Sequence, residues 1–180
     1  MSKPIDQTKL YGLSHIFNEI VDLFTSKKLP NKILLSGSKG CGKATLAYHF
    51  INYVFSINKE NSYNIKLNEI NTENTSFKLI KNGSHPNFHL IDLMEDKKNI
   101  EISQIRNMIN YANKSSFNNE PRFVLIDNVE HLNANSSNAL LKIIEEPNEN
   151  LFFILIHNDL KKIIKTLKSR CLLFKINLTF

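Results

Sequence analysis

The sequence has 180 residues, 42% of them apolar, which suits one domain with its own core and rules out a chain too polar to fold. Lys and Arg exceed Asp and Glu by 23 − 17 = 6, a balance that suits nucleic acid or an acidic partner and equally suits a plain solvated surface. No run approaches the roughly 18 apolar residues of a membrane span, the opening MSKPIDQTKLYGLSH has no apolar signal region, and Cys41 and Cys171 form no C-x-x-C pair; a membrane location, secretion and a zinc site are not expected, and a reducing cytoplasm is.

Residues 1–30 read as a helical lead-in. Within them, SHIFNEIVDLFTSKK (14–28) sets Ile16, Phe17, Ile20, Val21, Leu23 and Phe24 at helical spacing, with Ser14 placed to cap the helix and Leu29-Pro30-Asn31 to break it. KILLS then forms a short apolar strand that runs into a glycine-rich loop. In ATLAYHFINYVF, Leu46, Ala47, Phe50, Ile51, Val54 and Phe55 share one broad face, as in a buried helix. Residues 57–86 are dominated by Asn, Lys, Glu, Ser and Thr and read as a polar connection with room for one short helix. NFHLID (87–92) predicts a strand and ISQIRNMINYA (102–112) a helix. RFVLID (122–127) predicts the next strand. Ala139, Leu140, Ile143 and Ile144 then give a helical stripe that Pro147 stops. LFFILI (151–156) predicts a strand, DLKKIIKTL (159–167) a helix through Leu160, Ile163, Ile164 and Leu167, and CLLFKI (171–176) the fifth strand. Strands that are apolar on both faces and alternate with helices specify an α/β domain: a five-stranded parallel sheet flanked by helices, in one domain over 1–180.

Residues 37–45, GSKGCGKAT, follow G-x-x-x-x-G-K-[ST] except that Ala44 stands where a hydroxyl is required. Gly37, Gly40 and Gly42 would turn backbone N–H groups toward phosphates, the start of the following helix adds its positive end, and Lys43 adds a point charge. The missing hydroxyl is the group that holds magnesium, and Thr45 comes one position late. A tight strand-to-helix turn that merely needs glycine is the plain alternative. Asp127, at the end of an apolar strand, fits the second acidic position of P-loop ATPases, which reaches magnesium. The next residue is Asn128, and an amide cannot take a proton from water as a carboxylate does. Both departures point to weak or absent ATP hydrolysis.

LPNKILLSGSKGCGKATLAYHF, FVLIDNVEHLNANSSNALLKIIEEP and KTLKSRC together resemble the AAA+ module of bacterial clamp loaders, and the pairing of NALLKIIEEP with the later SRC is the specific part. The resemblance covers nearly the whole chain, from Leu10-Tyr11-Gly12-Leu13 to the strand after Cys171. It implies a RecA-like sheet and a ring of subunits that opens a sliding clamp on primed DNA with ATP between neighbours. The implied partners are the other loader subunits (motor ATPase and delta-type), the clamp, and primed DNA through the complex. In the family the arginine of Ser169-Arg170-Cys171 reaches the next subunit's ATP as an arginine finger, and Asn158 falls at a polar sensor of the γ-phosphate. The four-cysteine zinc module of the motor subunits is missing, since no cysteine lies between Cys41 and Cys171. The family's lid and collar would follow position 180. Two other readings stay open: a self-sufficient AAA+ ATPase, such as the motor subunit or a helicase-type motor, and a solitary nucleotide-binding module. No polymerase active site is visible, nor a recognition helix or aromatic platform for reading bases.

Overall fold

Six helices and five strands follow one another in the computed structural model, which describes residues 3–116, 118–148 and 150–177. In chain order they are α1 (Ser14–Thr25), β1 (Lys32–Gly37), α2 (Lys43–Ser56), α3 (Thr75–Lys81), β2 (Phe88–Ile91), α4 (Ile102–Asn113), β3 (Arg122–Ile126), α5 (Ala134–Glu145), β4 (Leu151–Asn158), α6 (Lys165–Lys168) and β5 (Leu172–Lys175). The described residues group into two compact units: 3–29 with 40–85 and 177, and 30–39 with the described part of 86–176.

The second unit holds the sheet. Its strands lie in the order β2-β3-β4-β1-β5 and all run parallel, so the expected α/β architecture is present. Every residue of β3 is buried, and so is every residue of β4 up to its last, as continuous apolar runs covered on both faces must be. The core gathers Leu34, Val124, Ile126, Phe153 and Leu155 from the strands with Ile105, Met108, Leu140, Ile144 and Leu167 from the helices. Each such side chain contributes about 1.5–3 kcal/mol of burial. The edge strand β2 departs from the expectation of two apolar faces, because Leu90 is exposed.

The first unit is helical. α1 buries Ile16, Phe17, Ile20 and Val21, and Phe17 stacks on Tyr63 at 5.1 Å. Ser14 does not cap α1. Leu13 occupies the cap position, and the Ser14 hydroxyl accepts from Asn68 Nδ2 at 3.0 Å instead. α1 also ends at Thr25, short of the expected residue 28, because Lys27 turns left-handed and the N–H groups of Lys28 and Leu29 both fold back on the Leu23 carbonyl. The 57–86 segment contains the one short helix the sequence leaves room for, α3, capped by Asn74 through the N–H groups of Ser76 and Phe77. It is more than a connection, however. Tyr63, Ile70, Phe77 and Ile80 are buried, and Thr8 and Leu10 exchange backbone bonds with Ile70 and Asn68.

The largest correction concerns 159–167. Only Lys165–Lys168 is helical there, a single turn, and Leu160 is 84% exposed. Leu160 N–H donates to Asn158 Oδ1 and Lys161 N–H to the Asn158 carbonyl, one turn that does not continue, because Ile164 is extended (φ −61°, ψ 124°).

Candidate functional site

Parallel strands bring their C-terminal ends to one edge, where α/β proteins bind ligands. In the sheet unit that edge carries Asp92 after β2, Asp127 after β3, Asn158 at the end of β4 and Gly37 at the end of β1. Asn158 and Gly37 are register partners, and Asp159 N–H donates to the Gly37 carbonyl at 3.2 Å. Three of the residues singled out in the sequence (Gly37, Asp127 and Asn158) therefore lie on neighbouring strands at one edge.

Asp127 N–H donates to the Ile91 carbonyl, and its Oδ1 accepts from Asn128 N–H at 2.8 Å. Asn128 takes a left-handed conformation (φ 55°), which asparagine tolerates better than most residues. Its Nδ2 donates to Asp92 Oδ1 at 2.8 Å, and that oxygen also accepts from Leu93 N–H. Gln104 ties the start of α4 to the same place, donating from Nε2 to the Asp92 carbonyl at 2.8 Å. So the amide at 128 bridges two strand ends and does not stand as a carboxylate would. Sequence reasoning missed Asp92 as a site residue. The signal was available, because Leu90-Ile91-Asp92 repeats the Leu125-Ile126-Asp127 pattern.

Asn158 is held from both sides. Its N–H donates to Glu130 Oε2 at 3.2 Å, and its Oδ1 accepts from Leu160 N–H. Beside it, His157 accepts from the Ser36 hydroxyl at Nδ1 and donates from Nε2 to the Lys161 carbonyl. Lys161 Nζ in turn donates to His131 Nε2 at 2.7 Å. Among the described residues no three His, Cys, Asp or Glu side chains gather tightly enough to hold a metal ion unaided. Asp127 would be a lone protein ligand, which suits magnesium, an ion that keeps its waters and takes phosphate oxygens.

The loop's later half belongs to the helical unit. Gly40 and Gly42 both have positive φ, 84° and 86°. At Gly42 a side chain is excluded twice over, by that conformation and by Leu13 Cδ1, 3.0 Å from where a Cβ would stand. Gly42 caps α2, and Lys43 is the first helical residue; it is only 6% exposed, with Nζ 3.6 Å from Cys41 Sγ. Ala44 and Thr45 are half-buried in the first turn. Gly42 brings no side chain of its own to the start of α2, and a helix N-terminus suits an anion, so the residue types here fit a phosphate.

Arg170 lies elsewhere. It precedes β5, and Leu172 pairs with Ile33 near the start of β1, whereas Gly37 ends that strand. Four residues of parallel strand separate the two levels, roughly 13 Å, so Arg170 sits at the edge opposite Gly37, Asp127 and Asn158. The side chain is exposed and held by α5 and α6: Nε and an Nη donate to Glu145 Oε1 at 2.9 and 2.8 Å, and the other Nη donates to the Thr166 carbonyl at 2.9 Å. Cys171, next in the triplet, packs against the core, donates to the Leu167 carbonyl, and has its thiol pushed up to about 11 by burial, so it is an inert structural group.

The fold is that of the RecA-like AAA+ class. Solved structures agree on the fold: a gamma subunit-related protein of DNA polymerase III from Thermotoga maritima superposes with a TM-score of 0.60 at 18% identity, over 93% of this chain and 46% of that one. The RuvB Holliday junction branch migration motor of the same organism superposes with 0.58 at 13% identity, over 99% and 50%. The chain belongs to the family described as DNA polymerase III, delta subunit, whose model matches residues 12–179, and it is thus a clamp-loader family member carrying an AAA+ module. It is 35% identical to DNA polymerase III subunit gamma of Buchnera aphidicola subsp. Schizaphis graminum, over 98% of this chain and 46% of the relative. It is 30% identical to DNA polymerase III subunit delta' of Buchnera aphidicola subsp. Baizongia pistaciae, over 91% and 49%. The chain spans about half the length of these relatives.

Proposed function

We infer that the chain acts in DNA replication as a delta-prime-like subunit of a clamp loader in the cytoplasm, lending Arg170 to the ATP of a neighbouring subunit and turning ATP over slowly or not at all itself. The observation that carries the reading is the position of Arg170. It stands exposed at the sheet edge opposite Gly37, Asp127 and Asn158, about 13 Å away along the strands. An arginine side chain cannot span that, so any nucleotide Arg170 serves is not the one at the chain's own strand ends. A guanidinium delivered to a γ-phosphate stabilises charge in phosphoryl transfer. For the chain's own nucleotide, Gly37, Gly40, Gly42 and Lys43 would carry phosphate, Asp127 would take magnesium, and Asn158 would face the γ-phosphate. Bound ATP would supply an anionic ligand that orders the loop. Ala44 supplies no hydroxyl for the metal, Thr45 comes a position late, and the Asn128 amide supplies no base.

The partners under this reading are the motor ATPase and delta-type subunits, the sliding clamp, and primed DNA reached through the complex. The test is the DNA-stimulated ATPase rate of the motor subunits assembled with this protein, wild type against Arg170→Ala, with assembly confirmed for each. A drop of at least about tenfold is expected. An unchanged rate in an assembled complex removes the finger, and ready ATP turnover by the chain alone removes the non-hydrolysing half.

A further inference from the structure

Glu145 is the last residue of α5, and Glu146 follows it. Carboxylates at a helix C-terminus oppose the helix dipole, at a cost of about 0.3–1 kcal/mol each. Lys, Arg or His would suit that place for helix stability. Nor does the ion pair with Arg170 offset the cost by strengthening the fold, since the two side chains are 37% and 49% exposed and an exposed pair contributes about 0–1 kcal/mol. A local rule broken without a stability gain points to function. The geometry shows which one. Glu145 Oε1 takes both Nε and an Nη of Arg170, and the Thr166 carbonyl takes the other Nη. Three of the five guanidinium N–H groups are used, so the plane is fixed while two donors remain among the described contacts. Four aliphatic torsions are thereby held before any partner arrives.

We propose that Glu145 is the positioning residue of Arg170: it fixes the exposed guanidinium in one orientation so that its remaining donors meet a polyphosphate on the neighbouring subunit. The inference rests on the in-trans role of Arg170 proposed above. Glu145 touches no substrate. Its effect is preorganisation, which removes from each encounter the entropy of ordering a long side chain. A neutral Gln at 145 retains an acceptor but not the charge that favours it, so it recovers part of the effect.

The test is a double-mutant cycle in the assembled loader, using the full chain with its motor subunits and measuring DNA-stimulated ATPase kcat and KM. Glu145→Ala is expected to lower kcat about two- to fivefold with little change in KM for ATP. Glu145→Gln is expected to fall between it and wild type, and Glu145→Ala in an Arg170→Ala background is expected to cost nothing more. If Arg170→Ala reduces the rate and Glu145→Ala does not, this inference fails and the proposed function stands. If Arg170→Ala changes nothing, both fail. An equal loss on top of Arg170→Ala makes Glu145 a general structural residue and also overturns the idea. A second reading needs no assembly: the Arg170 Nε–H resonance of the full chain is expected to be sharp and slow to exchange in wild type and broadened in Glu145→Ala. An unchanged resonance speaks against positioning.

Discussion

Arg122 and Arg170 occupy equivalent places and behave as opposites. Each stands where a strand begins, Arg122 as the first residue of β3 and Arg170 just before β5, and each meets the C-terminal end of a helix. Arg122 is 4% exposed, lies over the Tyr111 ring at 4.2 Å, and donates to the carbonyls of Tyr111, Ala112 and Lys114 at the end of α4, two of which are shared with the Lys114 N–H and Asn148 Nδ2. Arg170 is exposed and leans on a carboxylate. The first arginine completes a helix end and the second is presented. Residue type does not separate a structural arginine from a functional one; burial and the partner's chemistry do.

The sharpest way to break that contrast is to delete both arginines in turn. Arg122→Ala takes the guanidinium from the Lys114 carbonyl and from the Tyr111 ring, and should lower the unfolding free energy by about 2–3 kcal/mol, read from a denaturant midpoint at constant slope. Arg122→Lys keeps charge but not the planar fork and should lose about half as much. Next is a buried polar group of the helical unit. His49 accepts from the Tyr63 hydroxyl at 2.8 Å and donates to the Gln7 carbonyl at 3.0 Å, and burial lowers its pKa from 6.5 to about 4. Between those values the unfolded chain binds the proton and the folded chain does not. The contribution is therefore complete above pH 6.5 and is lost as pH falls toward 4, roughly 2 kcal/mol by pH 4.5. His49→Gln should flatten that slope in a stability-versus-pH series, and a slope unchanged by the substitution would refute the assignment.

Smaller effects follow at the loop. Gly42→Ala meets both a positive φ and Leu13 and should cost about 2 kcal/mol, whereas Gly40→Ala, with the same φ sign but nothing within 4 Å, should cost about 1 kcal/mol by thermal unfolding. Smallest of all, Arg170→Ala should leave stability within about 0.5 kcal/mol of wild type. If Arg170→Ala destabilised the chain as Arg122→Ala does, the contrast between the two arginines would collapse and Arg170 would be structural.

The alternation of apolar runs and helical stripes was enough to place β1 through β5 and α1, α2, α4 and α5, because a short apolar run and a period of 3.6 residues are local properties of the chain. The loop glycines and Lys43 were legible for the same reason: the phosphate motif is contiguous. The stripe at Leu160, Ile163, Ile164 and Leu167 misled, because Ile164 in the middle of it is extended (φ −61°, ψ 124°), which no helix can pass through. Composition hid the burial of Tyr63 and Ile70 in a segment that reads as polar.

The sequence by itself determined the fold class, the glycine-rich motif at 37–45 with Ala44 after its lysine, and the amide at 128, since each is written in residue identity and short spacing. Only the tertiary structure decided that Asn128 bridges to Asp92, 36 residues away, that Glu145 grips Arg170 across 25 residues, and that Arg170 faces away from the strand ends of its own chain. Those facts depend on strand order and on which helix end meets which strand start. Such pairings are fixed by packing around a shared core and leave no periodicity in the chain to read.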